Sequence, residues 1–282
     1  MELQKDSAQI FIPDGSPPEF ALERTTHLAI AAHQDDIEIM AIDGILECFQ
    51  SADRWFTGVV VTSGASSPRN NIYRDYTDEE MRVVRAKEQF KAAFVGEYAA
   101  QILLDYSSAA LKDSSIKQPI EDIHSIIQAT RPEIVYTHNL ADKHPTHVAV
   151  AVRTVEALRS LPEDFHPKRL IGCEVWRDLG WMPDEDKVVF NSSSHENLQT
   201  SLVGVFDSQI TGGKRYDLAT MGRRRANATY FESHGVDRTT GLAFGMELTP
   251  LIEDPKLDIN DYVQTYIERF GNEVRNLITT ML

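Results

Sequence analysis

Residues Thr26-His27-Leu28-Ala29-Ile30-Ala31-Ala32-His33-Gln34-Asp35-Asp36-Ile37-Glu38 decide how this 282-residue chain is read. A short apolar run ends in a histidine and two adjacent carboxylates. The run predicts a buried strand over 27–32, and open α/β sheets place their active sites at the carboxyl ends of such strands. His33 and Asp36 stand three residues apart, so both can turn toward one cation, and Asp35 between them is left free to move protons. A second cluster, His144-Pro145-Thr146-His147, follows another strand-like run at 133–137. Two strand ends that each carry histidine at metal-ligand spacing predict a hydrolytic zinc site.

Outward from these clusters, apolar runs at 27–32, 55–62, 99–104, 133–137 and 170–175 alternate with helical periodicity at 37–50, 77–94, 120–129 and 148–161. Thr77-Asp78-Glu79-Glu80 supplies a cap and an acidic first turn for the second of these helices. Such alternation predicts βαβ units: an α/β fold with a Rossmann-like, mostly parallel sheet and helices on both faces. A C-terminal α/β extension follows, with a short strand at 188–191, helices at 196–209 and 215–232, a late strand or edge at 242–248 and a last amphipathic helix at 260–277. Residues 1–24 read as an irregular lead-in and 63–76 as a long polar loop. Nothing marks a boundary, so 1–282 reads as one domain whose 176–282 part forms the substrate side.

The formal net charge of −15 argues against nucleic acid and against an anionic membrane surface as partners. No run approaches the roughly 18 apolar residues that span a bilayer, and the N-terminal stretch lacks an apolar signal core, so the expected location is the cytoplasm. Cys48 and Cys173 each sit in an apolar, periodic context and read as buried reduced thiols, which leaves a metal to His and Asp.

In these motifs the chain resembles the LmbE-like, or PIG-L, family of zinc-dependent N-acetylglucosamine deacetylases. The family's Ala-His-Pro-Asp-Asp signature appears as Ala32-His33-Gln34-Asp35-Asp36, with Glu38 and Gly44 in step. Its His-Pro-Asp-His appears as His144-Pro145-Thr146-His147. Thr62-Ser63-Gly64, Arg85-Ala86-Lys87-Glu88 and Ser208-Gln209 match further family patterns in the expected order, over roughly 26–210. Three departures stand out. Gln34 replaces proline, Thr146 replaces aspartate, and Met40, Ala41, Ile42 and Asp43 stand where glycines are common.

Pattern and resemblance together imply His33, Asp36 and His147 as ligands of zinc, or of another divalent metal such as Fe2+. Asp35 is the expected general base, and His144, if protonated, an expected donor to the oxyanion. Arg69, Arg74 and Arg85 are candidates for binding substrate hydroxyls or phosphate. The resemblance implies a small amino-sugar substrate and an enzyme that removes its N-acetyl group; it also makes a homo-oligomer an expectation. An amidase on another N-acyl group and a non-catalytic relative are the alternatives. A nucleotide-binding domain is disfavoured, since no Gly-x-Gly-x-x-Gly or Walker-type loop follows the first strand.

Each residue also has a purely structural reading. Asp35 suits a helix cap, His144 a surface position before Pro145, and Arg85 a pair with Glu88. Glu38 reads as a support for a ligand histidine or the loop. His138 reads as a loop histidine beside the pocket and Asp142 as a surface residue. His27, His124, His166, His195 and His234 read as structural. Arg223-Arg224-Arg225 reads as a solvated helix face, with an anion-binding patch as the alternative. Trp176, Trp181 and Tyr230 read as core aromatics that could instead stack on a sugar.

Overall fold

The structure, a computed structural model, describes residues 1–282. Eight strands, β1 (Gln9–Phe11), β2 (His27–Ala31), β3 (Phe56–Thr62), β4 (Ala100–Tyr106), β5 (Ile134–His138), β6 (Arg169–Cys173), β7 (Lys187–Asn191) and β8 (Leu242–Glu247), form one sheet in the order β1-β4-β3-β2-β5-β6-β8-β7. The five central strands from β4 to β6 are parallel; β1, β8 and β7 pair antiparallel at the margins. The helices are α1 (Pro18–Glu23), α2 (Asp36–Met40), α3 (Ile42–Cys48), α4 (Asp78–Val95), α5 (Ser108–Lys112), α6 (Gln118–Thr130), α7 (Pro145–Arg159), α8 (Glu196–Gly204), α9 (Asp207–Ile210), α10 (Tyr216–Tyr230), α11 (Pro250–Glu253) and α12 (Ile259–Met281). None is long and apolar enough to cross a membrane.

β2 and β3 are buried along their whole length, as strands covered on both faces must be. Their period of two divides the core. Leu28 and Ile30 point into the layer that holds Ile123, Ile126 and Val155 of α6 and α7. Ala29 and Ala31 point into the opposite layer, with Ile37 and Ile45 of α2 and α3 and Ala92 of α4. The chain winds outward from β2 through β3 to β4, then returns to lay β5 on the other side of β2. Sheets of this kind bind ligands in the crevice opened by that reversal. His33 leaves the end of β2 and the 139–144 loop leaves the end of β5, so the topology sets both histidine clusters at one crevice.

The capped helix expected from Thr77 is present, with Thr77 and Glu80 forming a reciprocal capping box. Other expectations are corrected. The lead-in is not irregular throughout: β1 pairs with β4 and α1 follows it. The helix expected over 37–50 breaks at Ala41 into α2 and α3. At the break, the buried guanidinium of Arg224 donates to the carbonyls of Glu38 (2.8 Å) and Ile39 (3.2 Å), which a continuous helix would spend on residues 42 and 43. The helix expected over 196–209 divides into α8 and α9, because Glu88 accepts from the amide (2.7 Å) and hydroxyl (2.6 Å) of Ser208. Gly44 lets α3 lie against the sheet, since a Cβ there would come within 2.6 Å of the Tyr136 ring.

His27, buried at the start of β2, gives the fold a dependence on acidity. Burial first, and then the charge of Arg54, push its pKa down to about 4. Between its ordinary value and about 4 the unfolded chain takes up a proton that the folded chain refuses, so stability falls as pH drops through that window. His27→Gln is expected to flatten the decline of melting temperature between about pH 6.5 and 4. A decline as steep as in the parent would show that His27 does not contribute to it.

Candidate metal centre

Three side-chain atoms meet at the crevice. His33 Nδ1 lies 3.1 Å from Asp36 Oδ2, His147 Nε2 lies 3.2 Å from His33 Nδ1, and His147 Nε2 lies 3.3 Å from Asp36 Oδ2. Ligands about 2.0–2.1 Å from a tetrahedral metal stand roughly 3.4 Å from one another, so the triangle is of a size that fits one such ion. The local fold builds two of the three corners. Asp36 opens α2 and turns back to accept from the His33 amide at 2.8 Å, which fixes both residues of the i, i+3 pair. His147 lies on the first turn of α7, behind Pro145 at a position where a missing N–H costs nothing.

The electrostatics favour a cation. Burial opposes the charge on Asp36, yet His147 and the hydrogen bonds from His147 and His33 hold its carboxyl well below the usual range. Burial likewise opposes a charge on His147, but Asp36 and Asp142 outweigh it and push its pKa up to about 9. One imidazole between two carboxylates is thus a place where positive charge, a proton or a metal ion, is stabilised.

Asp142 is not a surface residue. It is buried, with Oδ2 3.5 Å from His147 Nδ1 and 3.0 Å from the Trp176 amide, while Oδ1 accepts from the His144 amide at 2.8 Å. A carboxylate behind a ligand histidine fixes its tautomer and raises its basicity. The available sequence signal is its place two residues before His144, on the loop from β5.

His138, at the end of β5, is fully buried and stacks on His147 with ring centroids 3.9 Å apart. It could group with Asp36 and His147 around a metal. Its Nε2, however, accepts from the Ala32 amide at 2.9 Å, which ties the end of β5 to the end of β2. His144 forms another potential group with His33 and His147. Burial, then the charges of His147 and His33, push its pKa down to about 4. It therefore stands beside the triangle as a neutral imidazole with one N–H to give.

Asp35 is the strained member of the first motif, with φ 94° and ψ −31° in a residue other than glycine. Burial pushes its pKa up to about 7; the Arg85 guanidinium opposes the rise and the Asp36 charge adds to it. Arg85 Nη1 lies 3.5 Å from Asp35 Oδ2, and its Nη2 donates to the Gln34 carbonyl. The Gln34 side chain donates to the Thr62 carbonyl at 3.1 Å, beside Gly64, where a Cβ would collide with it. The pair Arg85 and Glu88 does not close on itself: Arg85 holds the Asp35 loop, and Glu88 holds Ser208. Glu38 lies beneath the site, accepting from Gln89 (2.8 Å) and Tyr98 (2.9 Å), with its pKa pushed up to about 8 by burial.

A cavity of about 680 Å³ opens over the triangle. Asp35, Arg85, His144 and Thr146 line it, as do Trp176, Gln209, Lys214 and Tyr216. Arg69 is spent on the carbonyls of Ala65 and Tyr76 and on Asp78. Arg74 is exposed and outside the lining. Trp181 lies under α12 instead, and Tyr230 is exposed. Arg223-Arg224-Arg225 is not a solvated face at its centre, because Arg224 is buried.

The sequence profile described as PIG-L, GlcNAc-PI de-N-acetylase matches residues 28–158, which hold both histidine clusters. No curated protein matches the chain by sequence. Among solved structures, a conserved protein of Thermus thermophilus is 21% identical with a TM-score of 0.59, covering 77% of this chain and 93% of that one. The 4-carboxy-2-hydroxymuconate hydratase of Pseudomonas putida is 14% identical with a TM-score of 0.59, covering 79% and 96%. The N,N'-diacetylchitobiose deacetylase of Pyrococcus horikoshii is 16% identical with a TM-score of 0.58, covering 78% and 83%. At these identities the likeness is one of fold.

Asp142→Ala is expected to weaken zinc binding by about 10–100-fold in a competition titration with a chromophoric chelator. An unchanged affinity would remove Asp142 from the support of the site.

Proposed function

The PIG-L profile matches residues 28–158 and takes in both histidine clusters, and on that match we propose that this chain is a metal-dependent N-deacetylase of that family, acting on an N-acetylglucosamine-type amino sugar or conjugate. The near-equilateral triangle of His33, Asp36 and His147, with strained Asp35 beside it, supports this reading above any other feature. The fold alone does not choose the reaction, since a protein named as a hydratase shares it.

In the proposed mechanism, His33, Asp36 and His147 would hold a divalent ion, which would supply acidification of water and polarisation of the acyl carbonyl. Asp35 accepts the proton of the attacking water and returns it to the departing amine. A carboxyl titrating near 7 is suited to both transfers. Arg85 steadies Asp35 and keeps burial from raising its pKa further. The single N–H of neutral His144 donates toward the acyl oxygen as negative charge grows there. Trp176 and Tyr216 meet at a right angle, with centroids 6.2 Å apart, and give a sugar ring an apolar face to rest on.

The test is acetate release from a panel of N-acetylated amino sugars, run beside metal content. His147→Ala is expected to lose both the metal and the activity. Asp35→Asn is expected to keep the metal and lose about 10²–10⁴-fold in kcat. Unchanged turnover in Asp35→Asn would remove it as the base. Turnover confined to longer acyl chains would move the assignment to the broader amidase class.

A further inference from the structure

α12 runs from Ile259 to Met281, and its two halves lie in different surroundings. In the first half Val263 and Tyr266 are buried against the body, and Phe270 meets the Trp181 ring at 6.2 Å. Every residue from 268 to 282 is exposed. Side-chain hydrogen bonds past Phe270 stay inside the helix, from Arg275 to Asn272, Thr279 to Arg275 and Thr280 to Asn276.

The apolar stripe does not stop where the body does. Val263, Ile267, Phe270, Val274, Leu277 and Met281 follow one another at spacings of 4, 3, 4, 3 and 4. That alternation keeps a single face apolar along a helix and is the spacing of a seam between two helices. A helix packed only on its own body needs such a stripe only for the length of the contact. Here it continues for about three turns beyond, with Leu277 62% and Met281 76% exposed. Together with Ile267, Phe270, Val274 and Ile278, these side chains leave roughly 500 Å² of apolar surface in water, at the upper end of what monomers carry.

The charges on this segment narrow the choice of occupant. The whole chain carries −15, yet residues 268–282 hold two acidic and two basic side chains, Glu268, Glu273, Arg269 and Arg275. Two acidic bodies could therefore meet here without net repulsion between the helices. An anionic lipid surface would call for a polar face rich in lysine and arginine, which α12 lacks. Two such stripes together bury on the order of 1,000 Å², the lower bound for a specific interface. An apolar cleft of about 620 Å³ between α7 and α12, lined in part by Val152, Trp181, Ile267 and Phe270, adjoins the seam and can extend the contact.

We infer that the exposed half of α12 pairs with the same helix of a second copy of this chain, in an isologous two-fold contact. The test is sedimentation velocity and light scattering on the full chain from about 1 to 100 µM. The expected species has twice the chain's mass. Val274→Glu with Leu277→Glu is expected to weaken association by at least about 100-fold, since each copy would bring unpaired carboxylates into the seam. At concentrations where the parent is itself monomeric, the melting temperature should match the parent's, because neither side chain is packed against its own body. Thr279→Glu places a carboxylate on the opposite face of the helix and is expected to leave the dimer intact. A monomer at about 100 µM would overturn the inference. So would a dimer that survives the double substitution, or one that dissociates equally with Thr279→Glu.

Discussion

The pairing of β2 with β5 is the constraint on which the site depends. These strands are far apart in sequence and become neighbours only because the chain reverses direction across the sheet, with His27 opposite Ile134, Leu28 opposite Val135 and Ala29 opposite Tyr136. The three-residue register fixes how far each strand reaches, and so how His33 meets His147. The bond from the Ala32 amide to His138 Nε2 ties the two strand ends together just below the metal triangle. Slipping the pairing by one residue would turn Leu28 and Ile30 to the other face and separate the triangle's corners.

Around that pairing, charges that would be costly alone are buried as a set. Asp36 faces three imidazoles, His147 faces two carboxylates, and Asp35 faces Arg85. Removing one member leaves its partner enclosed and unpaired, so the cluster's members support one another more than pairwise distances suggest. The strain at Asp35 persists for the same reason. Its loop is gripped by Arg85 at the Gln34 carbonyl and by Gln89 at the Asp35 amide.

Much of this is legible in the sequence, because strand runs, caps and histidine spacing are local signals. The central strands and the capping box at Thr77 can be read from neighbours within a few positions, and so can the two histidine clusters that the crevice brings together. What cannot be read depends on partners far along the chain. The break between α2 and α3 is made by Arg224, more than 180 residues later. The break between α8 and α9 is made by Glu88, 120 residues earlier. Asp142 reads as surface because its loop sequence is polar, and only folding shows that three of its four contacts are backbone amides at the site. The short β1 is defined by pairing with β4, and three residues carry no period of their own.

Arg85 and Glu88 lie one turn apart on α4, and they hold opposite sides of the same cavity. Arg85 grips the loop of Asp35, and Glu88 grips Ser208, next to the cavity residue Gln209. Two further bonds, Tyr73 to Asp207 and Asn71 to the Thr211 carbonyl, fasten that wall to the loop before α4. A change that reshapes this wall therefore pulls on the helix that holds the Asp35 loop. The shape of the cavity wall and the seating of the Asp35 loop are thus mechanically linked through one helix.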